Sequence, residues 1–436
     1  MFGHSHRLTW PDGRSEKVKL LPTGKSGGAG EIFEIEHRPQ YVAKLYHEVT
    51  KPEQMERYAH KIRWMVGNKP ELPEIPAGVE GIVQLAWPVA QVLRDNRFAG
   101  FLMEKIDFSR TVELDYLLTR RQAEAEGVSV DFGKLLTVCY NLASLLNSLH
   151  RKRIAVVDLK PMNLKVYKSE LYVSILDCDG FCIYADTFRS DAPQVTPEYL
   201  APEFHGVAVA HPESQDWFAL ATIIFRLLNY GIHPYVGVSD NRLRYPPELA
   251  GRIQLGLYPY GRKANVGARP APASVHEAFP DPLRLLFDRA FGWASGGRPS
   301  AFEWAQALSA FANRNSAHMG FCERGHVQFS GKPCPTCLRD AILQRHVRDS
   351  QRLRARIRAA PRKTLHHVKK SLHGTHTSPF QATLTQIQQM QQAPVRIIYG
   401  PAPGGSSTPL GLATRQAVSL EILWLLGLAI TVWWLK

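Results

Sequence analysis

One loop and one strand end constrain this chain more than any other feature. The sequence VVDLKPMN places Asp158, Lys160 and Asn163 on a single loop, and Asp177 follows fourteen residues after the Asn at the end of the apolar strand Val173–Leu176. Phosphoryl transfer from a nucleotide needs such groups. One carboxylate orients and deprotonates the attacking hydroxyl, an amine offsets charge on the moving group, and an amide and a second carboxylate hold metal.

The loop resembles the catalytic loop of the protein kinase superfamily. The resemblance implies that Asp158 is the catalytic base, Lys160 the charge stabiliser and Asn163 a metal ligand. The family's His-Arg before the Asp is replaced by Val156 and Val157. Because that Arg usually binds the phosphate of a phosphorylated activation loop, we expect that this site does not need loop phosphorylation for its alignment.

The metal-binding Asp of the family has three apparent matches. Asp131–Gly133 reads Asp-Phe-Gly, but it precedes the catalytic loop, whereas the metal ligand must follow it. The later sequence LDCDGF holds two candidates. Asp177 ends the strand at the usual spacing and is preferred, while Asp179 could assist or replace it. Hard oxygen ligands favour Mg²⁺ or Mn²⁺.

The sequence GKSGGAGEI resembles the glycine loop of kinases, with Lys25 in place of the first glycine. Glycines let the backbone approach phosphates without a Cβ in the way. A P-loop is rejected, because the glycine that this motif requires five residues before Gly24 is missing. The nucleotide-binding residues predicted here are Gly27, Gly28, Gly30 and Ile32.

Lys44 lies in the sequence VAKL, which resembles the strand whose lysine bridges the α- and β-phosphates and pairs with a helix Glu. Glu56 is the better candidate for that partner and Glu53 the second. The alternative is a lysine on an exposed strand face. The segment Phe101–Lys105 resembles the hinge that binds the adenine edge.

Within that hinge, Met103 would guard the back of the pocket and Glu104 would lie beside the adenine. The later sequence TPEYLAPE resembles the end of an activation segment and starts at Thr196, a natural contact for a Ser/Thr substrate. The sequence Asp216-Trp217-Phe218 resembles the helix that anchors the catalytic loop, and Arg298 resembles the partner of Glu203. This segment favours a protein kinase over small-molecule kinases of the same fold.

The order of elements predicts an α+β fold of two lobes, a strand-rich N-lobe over residues 15–105 and a helical C-lobe over 106–312. The sequence LAWP at 85–88 and the Asp-x-Asp-small-Phe form resemble a bacterial subgroup of eukaryotic-like Ser/Thr kinases, which often accompany a metal-dependent protein phosphatase. The predicted strands are Ile32–Ile35, Tyr41–Leu45, Ile82–Leu93 and Ala99–Met103. The predicted helices are Pro52–Val66, Phe132–Arg151, Trp217–Leu228, Pro282–Phe291 and Ala301–Phe311.

Residues 318–340 form a Cys/His module after the second lobe. A single Cys-x-x-Cys turn and two further soft or borderline ligands can hold one tetrahedral Zn²⁺ with no open coordination position. The zinc would then be structural. The alternative is a set of unliganded surface cysteines. The four predicted ligands are Cys322, His326, Cys334 and Cys337.

Three segments of different composition follow the Cys/His module. Residues 341–373 are predicted as a basic helical segment, and from 338 to 370 eleven Lys or Arg face two Asp, so about nine of the fourteen net positive charges lie there. This segment is either a solvated helix face or a surface for anionic lipid, with nucleic acid the less favoured partner. Residues 374–412 read as a flexible linker.

The apolar residues 417–435 are predicted as a single C-terminal membrane anchor, with a core helix as the alternative. Six cysteines are too few for a disulfide scaffold, and the N-terminus carries no apolar signal. We therefore expect a catalytic part in the cytoplasm, held at the cytoplasmic face of the inner membrane.

The residues together imply ATP-dependent transfer of the γ-phosphoryl group to Ser or Thr hydroxyls of a protein substrate. Two alternatives stay open. One is a pseudokinase scaffold that recruits partners, and the other is a kinase-fold enzyme that acts on a small molecule.

Overall fold

A seven-stranded antiparallel sheet forms the first lobe. The computed structural model describes residues 6–192, 195–239, 245–262, 267–292, 297–313 and 315–359. The strand order in the sheet is β2-β1-β6-β7-β5-β4-β3. Its elements are β1 (His6–Thr9), β2 (Ser15–Val18), β3 (Leu20–Ser26), β4 (Gly30–Ile35), β5 (Tyr41–Tyr46), helix α1 (Pro52–Gly67), β6 (Pro88–Arg94) and β7 (Arg97–Glu104).

The sheet buries one apolar face, with Leu8, Ala43, Ala90 and Leu102 all inaccessible to solvent. Strand β1 starts nine residues before the predicted lobe and pairs with both β2 and β6. Helix α1 covers the sheet at β6 and β7. Proline in its first turn costs no hydrogen bond, because the first helical N–H groups have no intrahelical acceptor.

The predicted strand Ile82–Leu93 is wrong over its first half, since β6 begins only at Pro88. The preceding residues Leu85, Ala86 and Trp87 are all buried. Their apolar side chains explain why a strand was predicted over this stretch. In the structure these residues lie against the strand Val173–Ile175 of the second lobe, where the backbone N–H of Ala86 donates to the carbonyl of Ile175 at 3.0 Å.

The second lobe is mainly helical, and the predicted helix Phe132–Arg151 has the predicted bounds. Its N-cap is Asp131, whose side chain accepts a hydrogen bond from the N–H of Lys134, so the misleading Asp-Phe-Gly triplet is a helix cap. The elements are β8 (Thr111–Glu113), α2 (Arg120–Ala125), α3 (Phe132–Arg151), β9 (Ile154–Ala155), β10 (Leu164–Tyr167), β11 (Val173–Ile175), β12 (Cys182–Ala185), β13 (Phe188–Ser190), α4 (Pro212–Leu228), β14 (Gly237–Val238), α5 (Leu249–Gln254), β15 (Arg269–Pro270), α6 (Asp281–Phe291) and α7 (Ala301–Ala312).

A hairpin and a long helix follow the second lobe and pack against it. They are β16 (Met319–Phe321), β17 (Val327–Phe329) and α8 (Pro335–Ala359). The ring of Phe329 is 1% exposed and lies 5.2 Å from the rings of Phe132 and Phe311, centroid to centroid. The Cys/His module is therefore built onto the helical lobe.

The predicted basic segment is described only up to Ala359, where the description of α8 ends. The predicted linker and the predicted membrane anchor lie outside the described residues. Within the part of the chain that the structure describes, no helix combines the length and apolarity that a bilayer crossing needs.

Candidate active site

The loop that carries Asp158 is fixed from below by a buried carboxylate. Asp216 on α4 accepts the backbone N–H of Val156 at 2.8 Å and that of Val157 at 2.7 Å, and His150 lies 2.9 Å from the same carboxylate. Val157 has φ of +64°, a strained conformation for a β-branched residue. The prediction that this helix anchors the loop is confirmed, and Asp216 is the residue whose two hydrogen bonds hold the loop in this conformation.

Asp158 meets the end of the activation segment. Its Oδ1 accepts hydrogen bonds from the N–H of Thr196 at 2.8 Å and from the hydroxyl of Thr196 at 2.7 Å. The ammonium of Lys160 donates to Asp158 Oδ2 at 2.7 Å and to the Thr196 hydroxyl at 3.0 Å. The structure therefore brings the predicted base and the predicted charge stabiliser together and adds the threonine between them.

Asn163 ties the same loop to the strand that ends at Asp177. Its side-chain N–H donates to the carbonyl of Asp158 at 3.2 Å, and its own carbonyl accepts the N–H of Leu176 at 2.9 Å. With its amide nitrogen used in this way, the side-chain oxygen is the atom that Asn163 can offer to a cation. The two predicted metal ligands thus stand on adjoining backbone.

The two acidic residues of the LDCDGF sequence differ sharply in their surroundings. The side chain of Asp177 is 66% exposed and lines the cleft between the lobes, on a backbone with φ of +51°. Asp179 is 8% exposed, and both of its carboxylate oxygens accept hydrogen bonds. The carboxylate of Asp177 is therefore the more accessible of the two to a cation that enters the cleft.

Lys44 lies on β5 and reaches these carboxylates. Its ammonium donates to Asp179 at 2.8 and 3.0 Å and to Asp177 at 3.3 Å. Burial lowers the pKa of Lys44, but the two carboxylates outweigh this effect and leave the pKa above its usual value. The lysine is therefore held charged at the floor of the cleft.

The expected pair between Lys44 and Glu56 requires correction. Glu56 is exposed on α1, and among the described residues no ion pair joins it to Lys44. The inward face of α1 instead carries Lys61, Ile62 and Met65. The partner of Lys44 comes from the segment after β11.

The predicted glycine loop joins β3 to β4. The N–H of Gly27 donates to the carbonyl of Gly30 at 2.9 Å, which closes the turn. A Cβ at Gly30 would lie 2.2 Å from the carbonyl oxygen of Leu45, whereas a Cβ at Gly28 would meet open space. Gly30 is thus required for the approach of β4 to β5, a reason that differs from the predicted contact with phosphate.

The cleft between the lobes contains most of the predicted nucleotide-binding side chains. Ile32, Lys44, Met103 and Glu104 line it, and Met103 pairs with Val42 in the sheet. The apolar walls include residues that were not predicted to belong to the site. Apolar positions on the predicted strands that flank the site are the signal that could have indicated them. These residues are Val42, Ala86, Phe101, Ile106 and Leu176.

The rest of the activation segment is held by packing and by one ion pair. Arg298 forms a two-pronged pair with Glu203, with one of the N–O distances at 2.8 Å, which confirms the predicted partnership. Phe188 on β13 stacks on Trp64 of α1 with ring centroids 5.5 Å apart. Val157 is buried against Cys182 in an apolar cluster, at the position where the family resemblance places an arginine.

The four residues of the Cys/His module converge. Their ligand atoms all lie within 4.8 Å of one another, and the sulfurs of Cys322 and Cys337 are 3.8 Å apart. His326 Nδ1 lies 3.3 Å from the Cys337 sulfur and 3.8 Å from that of Cys334. A tetrahedral zinc with Zn–S bonds of about 2.3 Å separates its sulfurs by about 3.8 Å, so the donor set fits this ion.

The chain is similar to several known protein kinases. It is 28% identical to Protein kinase YegI of Escherichia coli strain K12 over 297 residues, which are 65% of this chain and 43% of YegI. It is 37% identical over 112 residues to the cAMP-dependent protein kinase catalytic subunit of Dictyostelium discoideum, or 26% of this chain and 16% of that protein. It is 30% identical over 146 residues to Serine/threonine-protein kinase Sgk1 of Homo sapiens, or 29% of this chain and 32% of that protein.

The chain spans less than half the length of YegI. No protein-family model matches it.

Proposed function

We propose that this chain, which is a member of the protein kinase superfamily, transfers the γ-phosphoryl group of ATP to Ser or Thr hydroxyls of a protein substrate. The observation that carries the proposal is the convergence of Asp158, Lys160 and Thr196 within 3.0 Å contacts. Hydrogen bonds of Asn163 join their loop to Leu176, which lines the same cleft as Lys44. These are the groups that phosphoryl transfer requires.

Asp158 is the residue that receives the substrate hydroxyl. Its Oδ1 is held by Thr196 and its Oδ2 by Lys160, so the carboxylate has a fixed orientation before substrate arrives. A positioned carboxylate can accept the hydroxyl proton as the oxygen attacks phosphorus. Lys160, beside it, offsets negative charge on the transferring group.

Asp177 and Asn163 are the proposed ligands of the divalent cation. Mg²⁺ or Mn²⁺ bound by them would bridge phosphate oxygens and neutralise charge that develops during transfer. The carboxylate of Asp177 is exposed in the cleft and oxygen is the ligand atom that Asn163 has left to offer, which together make a hard donor set. Lys44 supplies the adjoining positive charge for the nucleotide phosphates.

Thr196 supports a hydroxyl of Ser or Thr as the acceptor. Its hydroxyl lies 2.7 Å from Asp158, the proposed base, so an acceptor hydroxyl that reaches this base binds close to a small side chain. The distant similarity to Sgk1, named a serine/threonine-protein kinase, supports the same acceptor class.

Radiolabelled ATP with the full chain and a general protein acceptor tests the proposal, with Lys44→Met and Asp158→Asn as variants. The expected result is labelled phosphoserine or phosphothreonine with the wild type and loss of label with both variants. Nucleotide binding without any turnover would support a pseudokinase scaffold instead. A labelled small product without phosphoprotein would support a small-molecule kinase, and either result would overturn the proposal.

We propose that the Cys/His module binds one structural Zn²⁺ through Cys322, His326, Cys334 and Cys337. The four ligand atoms occupy one small volume, and the N–H of Cys337 donates to the Cys334 sulfur at 3.4 Å, which orients that ligand. A sulfur–sulfur distance of 3.8 Å excludes a disulfide between Cys322 and Cys337 in this conformation. Unliganded surface cysteines remain the alternative outcome of a metal analysis.

For the C-terminal part we propose a membrane anchor over residues 417–435, with the catalytic part on the cytoplasmic face of the inner membrane and a metal-dependent protein phosphatase as cognate partner. The apolar run and the positive charge upstream of it support the anchor. Fractionation of the full chain beside a chain ending at residue 412 tests it, because only the full chain is expected in the membrane fraction. Equal fractionation would contradict the anchor.

A further inference from the structure

The carboxylate of Asp179 is the most heavily engaged acidic group in the cleft. It accepts two hydrogen bonds from Lys44, at 2.8 and 3.0 Å, and one from the hydroxyl of Tyr46 at 3.1 Å. Both neighbours lie on β5, so the carboxylate is clamped against a single strand. Burial raises the pKa of Tyr46 well above its usual value, and its hydroxyl therefore stays a hydrogen-bond donor.

The helix that packs beside this cluster contributes an amine where kinases use a carboxylate. Lys61 of α1 is 4% exposed and donates a hydrogen bond to the carbonyl of Phe181, two residues after Asp179. Protein kinases in general pair the strand lysine with a Glu of this helix. Here the acidic member of the pair comes from the segment after β11, and the helix supplies a second positive charge.

We propose that Asp179 is a positioning residue that holds Lys44 for the nucleotide phosphates, in the place of the helix carboxylate, and that Lys61 links α1 to the same segment. The proposal rests on the proposed function, because it assigns the group that orients the phosphate-binding lysine. It separates the two acidic residues of the LDCDGF sequence into one metal ligand and one lysine partner.

Geometry favours this division over metal binding by Asp179. Its two oxygens already accept three hydrogen bonds at a site that is 8% exposed, so a metal ion would compete with the ammonium of Lys44 for the same buried carboxylate. A buried ammonium left without its carboxylate is costly. Asp177 makes one longer contact of 3.3 Å and is otherwise open to the cleft.

The arrangement of charges explains how two lysines are tolerated in one buried region. Asp179 lines the nucleotide cleft together with Lys44, and it also lines the groove between α1 and residues 188–192 together with Lys61. Burial lowers the pKa of Lys61 to about 8, in opposition to the attraction of Asp179. Asp179 is thus the shared counter-charge of a strand and a helix.

The test measures the affinity of the full chain for a fluorescent ADP analogue, with EDTA and with excess Mg²⁺, in six variants and in the wild type. Asp179→Asn is expected to weaken binding by roughly tenfold to a hundredfold in both conditions. Asp177→Asn is expected to remove the gain in affinity that Mg²⁺ gives, and to change metal-free binding much less than Asp179→Asn does, because its contact with Lys44 is the longer one. Asp179→Glu keeps the carboxylate and should retain most of the affinity.

A double-variant comparison shows whether Asp179 acts through Lys44. If it does, Lys44→Met combined with Asp179→Asn binds no more weakly than Lys44→Met alone, since the two residues form one unit. The exposed Glu56→Gln variant is the matched control and should bind like the wild type. Thermal unfolding without nucleotide checks that each variant is folded. If Asp179→Asn is not folded, Asp179→Glu is compared with the wild type in its place.

Two results would overturn the assignment. One is an Asp179→Asn variant that loses only the gain from Mg²⁺, and the other is a Glu56→Gln variant that binds as weakly as Asp179→Asn. The affinity for nucleotide is measured independently of protein phosphorylation, so the two proposals can fail separately. A wild type that binds ADP through Asp179 but phosphorylates no protein would refute the proposed function alone, whereas an active wild type with unaltered binding in Asp179→Asn would refute this assignment alone.

Discussion

The hydroxyl of Thr196 donates a 2.7 Å hydrogen bond to Asp158 and accepts a 3.0 Å bond from Lys160. One side chain of the activation segment thereby fixes both charged groups of the catalytic loop. The position of the base depends on a residue 38 places away in the chain, so the order of the activation segment and the orientation of Asp158 are coupled.

Thr196→Val should lower kcat for protein phosphorylation by about tenfold, because the isosteric side chain keeps the volume and removes both hydrogen bonds to the charged pair. Thr196→Ser retains the hydroxyl and is the matched control, with a rate close to that of the wild type. Initial rates at saturating ATP measure the effect. A wild-type rate in the Val variant would show that the hydroxyl does not orient the base.

Activity should not depend on phosphorylation of the activation segment. Val157 lies in an apolar cluster with Ala155 and Cys182, and Phe188 stacks on Trp64, so packing holds the segment where a phosphate–arginine pair would otherwise be needed. We expect phosphatase-treated and autophosphorylated protein to have equal initial rates. A large loss of rate after phosphatase treatment would contradict this expectation.

Two neighbouring glycines should respond very differently to alanine. A Cβ at Gly30 would lie 2.2 Å from the carbonyl of Leu45, and backbone on β5 cannot move aside without loss of sheet pairing. We expect Gly30→Ala to lower the free energy of unfolding by roughly 2 kcal/mol or more, and Gly28→Ala to change it by less than about 0.5 kcal/mol. Urea unfolding of the two variants and the wild type measures both values. Equal stabilities would show that the loop adjusts freely at Gly30.

The local part of the site was predictable from the sequence, because the groups proposed to carry the chemistry lie within six residues of one another. Asp158, Lys160 and Asn163 share one loop, and the structure places their side chains or backbone in mutual contact. The anchoring of this loop by Asp216 and the pair between Glu203 and Arg298 were also predictable, since each belongs to a recognisable motif.

The partner of Lys44 could not be read from the sequence. Asp177 and Asp179 are two residues apart on a short irregular turn, and only the backbone conformation, with φ of +51° at Asp177, decides which one is exposed in the cleft and which one is buried against Lys44. Lys61 was equally hidden, because a lysine in an amphipathic helix is usually solvated. Its neighbour Ile62 and the later Met65 share the buried face, and this spacing is the signal that could have indicated a buried amine.

The Cys/His module should contain about one zinc per chain. Cys337→Ser should lower the zinc content and the thermal stability of the module, because a thiolate ligand is lost at the start of α8. Elemental analysis of gently purified protein gives the metal content, and thermal unfolding gives the stability. The exposed Glu323→Gln variant, within the same hairpin, is the control and should keep full zinc. A metal content near zero in wild-type protein would exclude the site.

Stability should fall in mild acid through a buried histidine. His276 is 2% exposed among aromatic rings, with Phe279 at 5.3 Å and Phe225 at 5.5 Å between centroids. Burial and then the charge of Arg284 lower its pKa from 6.5 to about 3. Between these two values the unfolded chain binds a proton that the folded chain does not. The stability that neutral His276 contributes is therefore complete above pH 6.5 and is lost as the pH falls toward 3.

Through this histidine alone, the free energy of unfolding should be about 2 kcal/mol lower at pH 5 than at pH 7. His276→Phe keeps an aromatic ring in the cluster and removes the titrating group, so the variant should lose less stability over the same interval by about that amount. Urea unfolding of both proteins at the two pH values isolates the effect, because the other buried groups, including His233, are common to both and cancel in the difference. Identical pH dependence of the two proteins would mean that His276 has the same pKa in the folded and the unfolded chain, and would contradict this prediction.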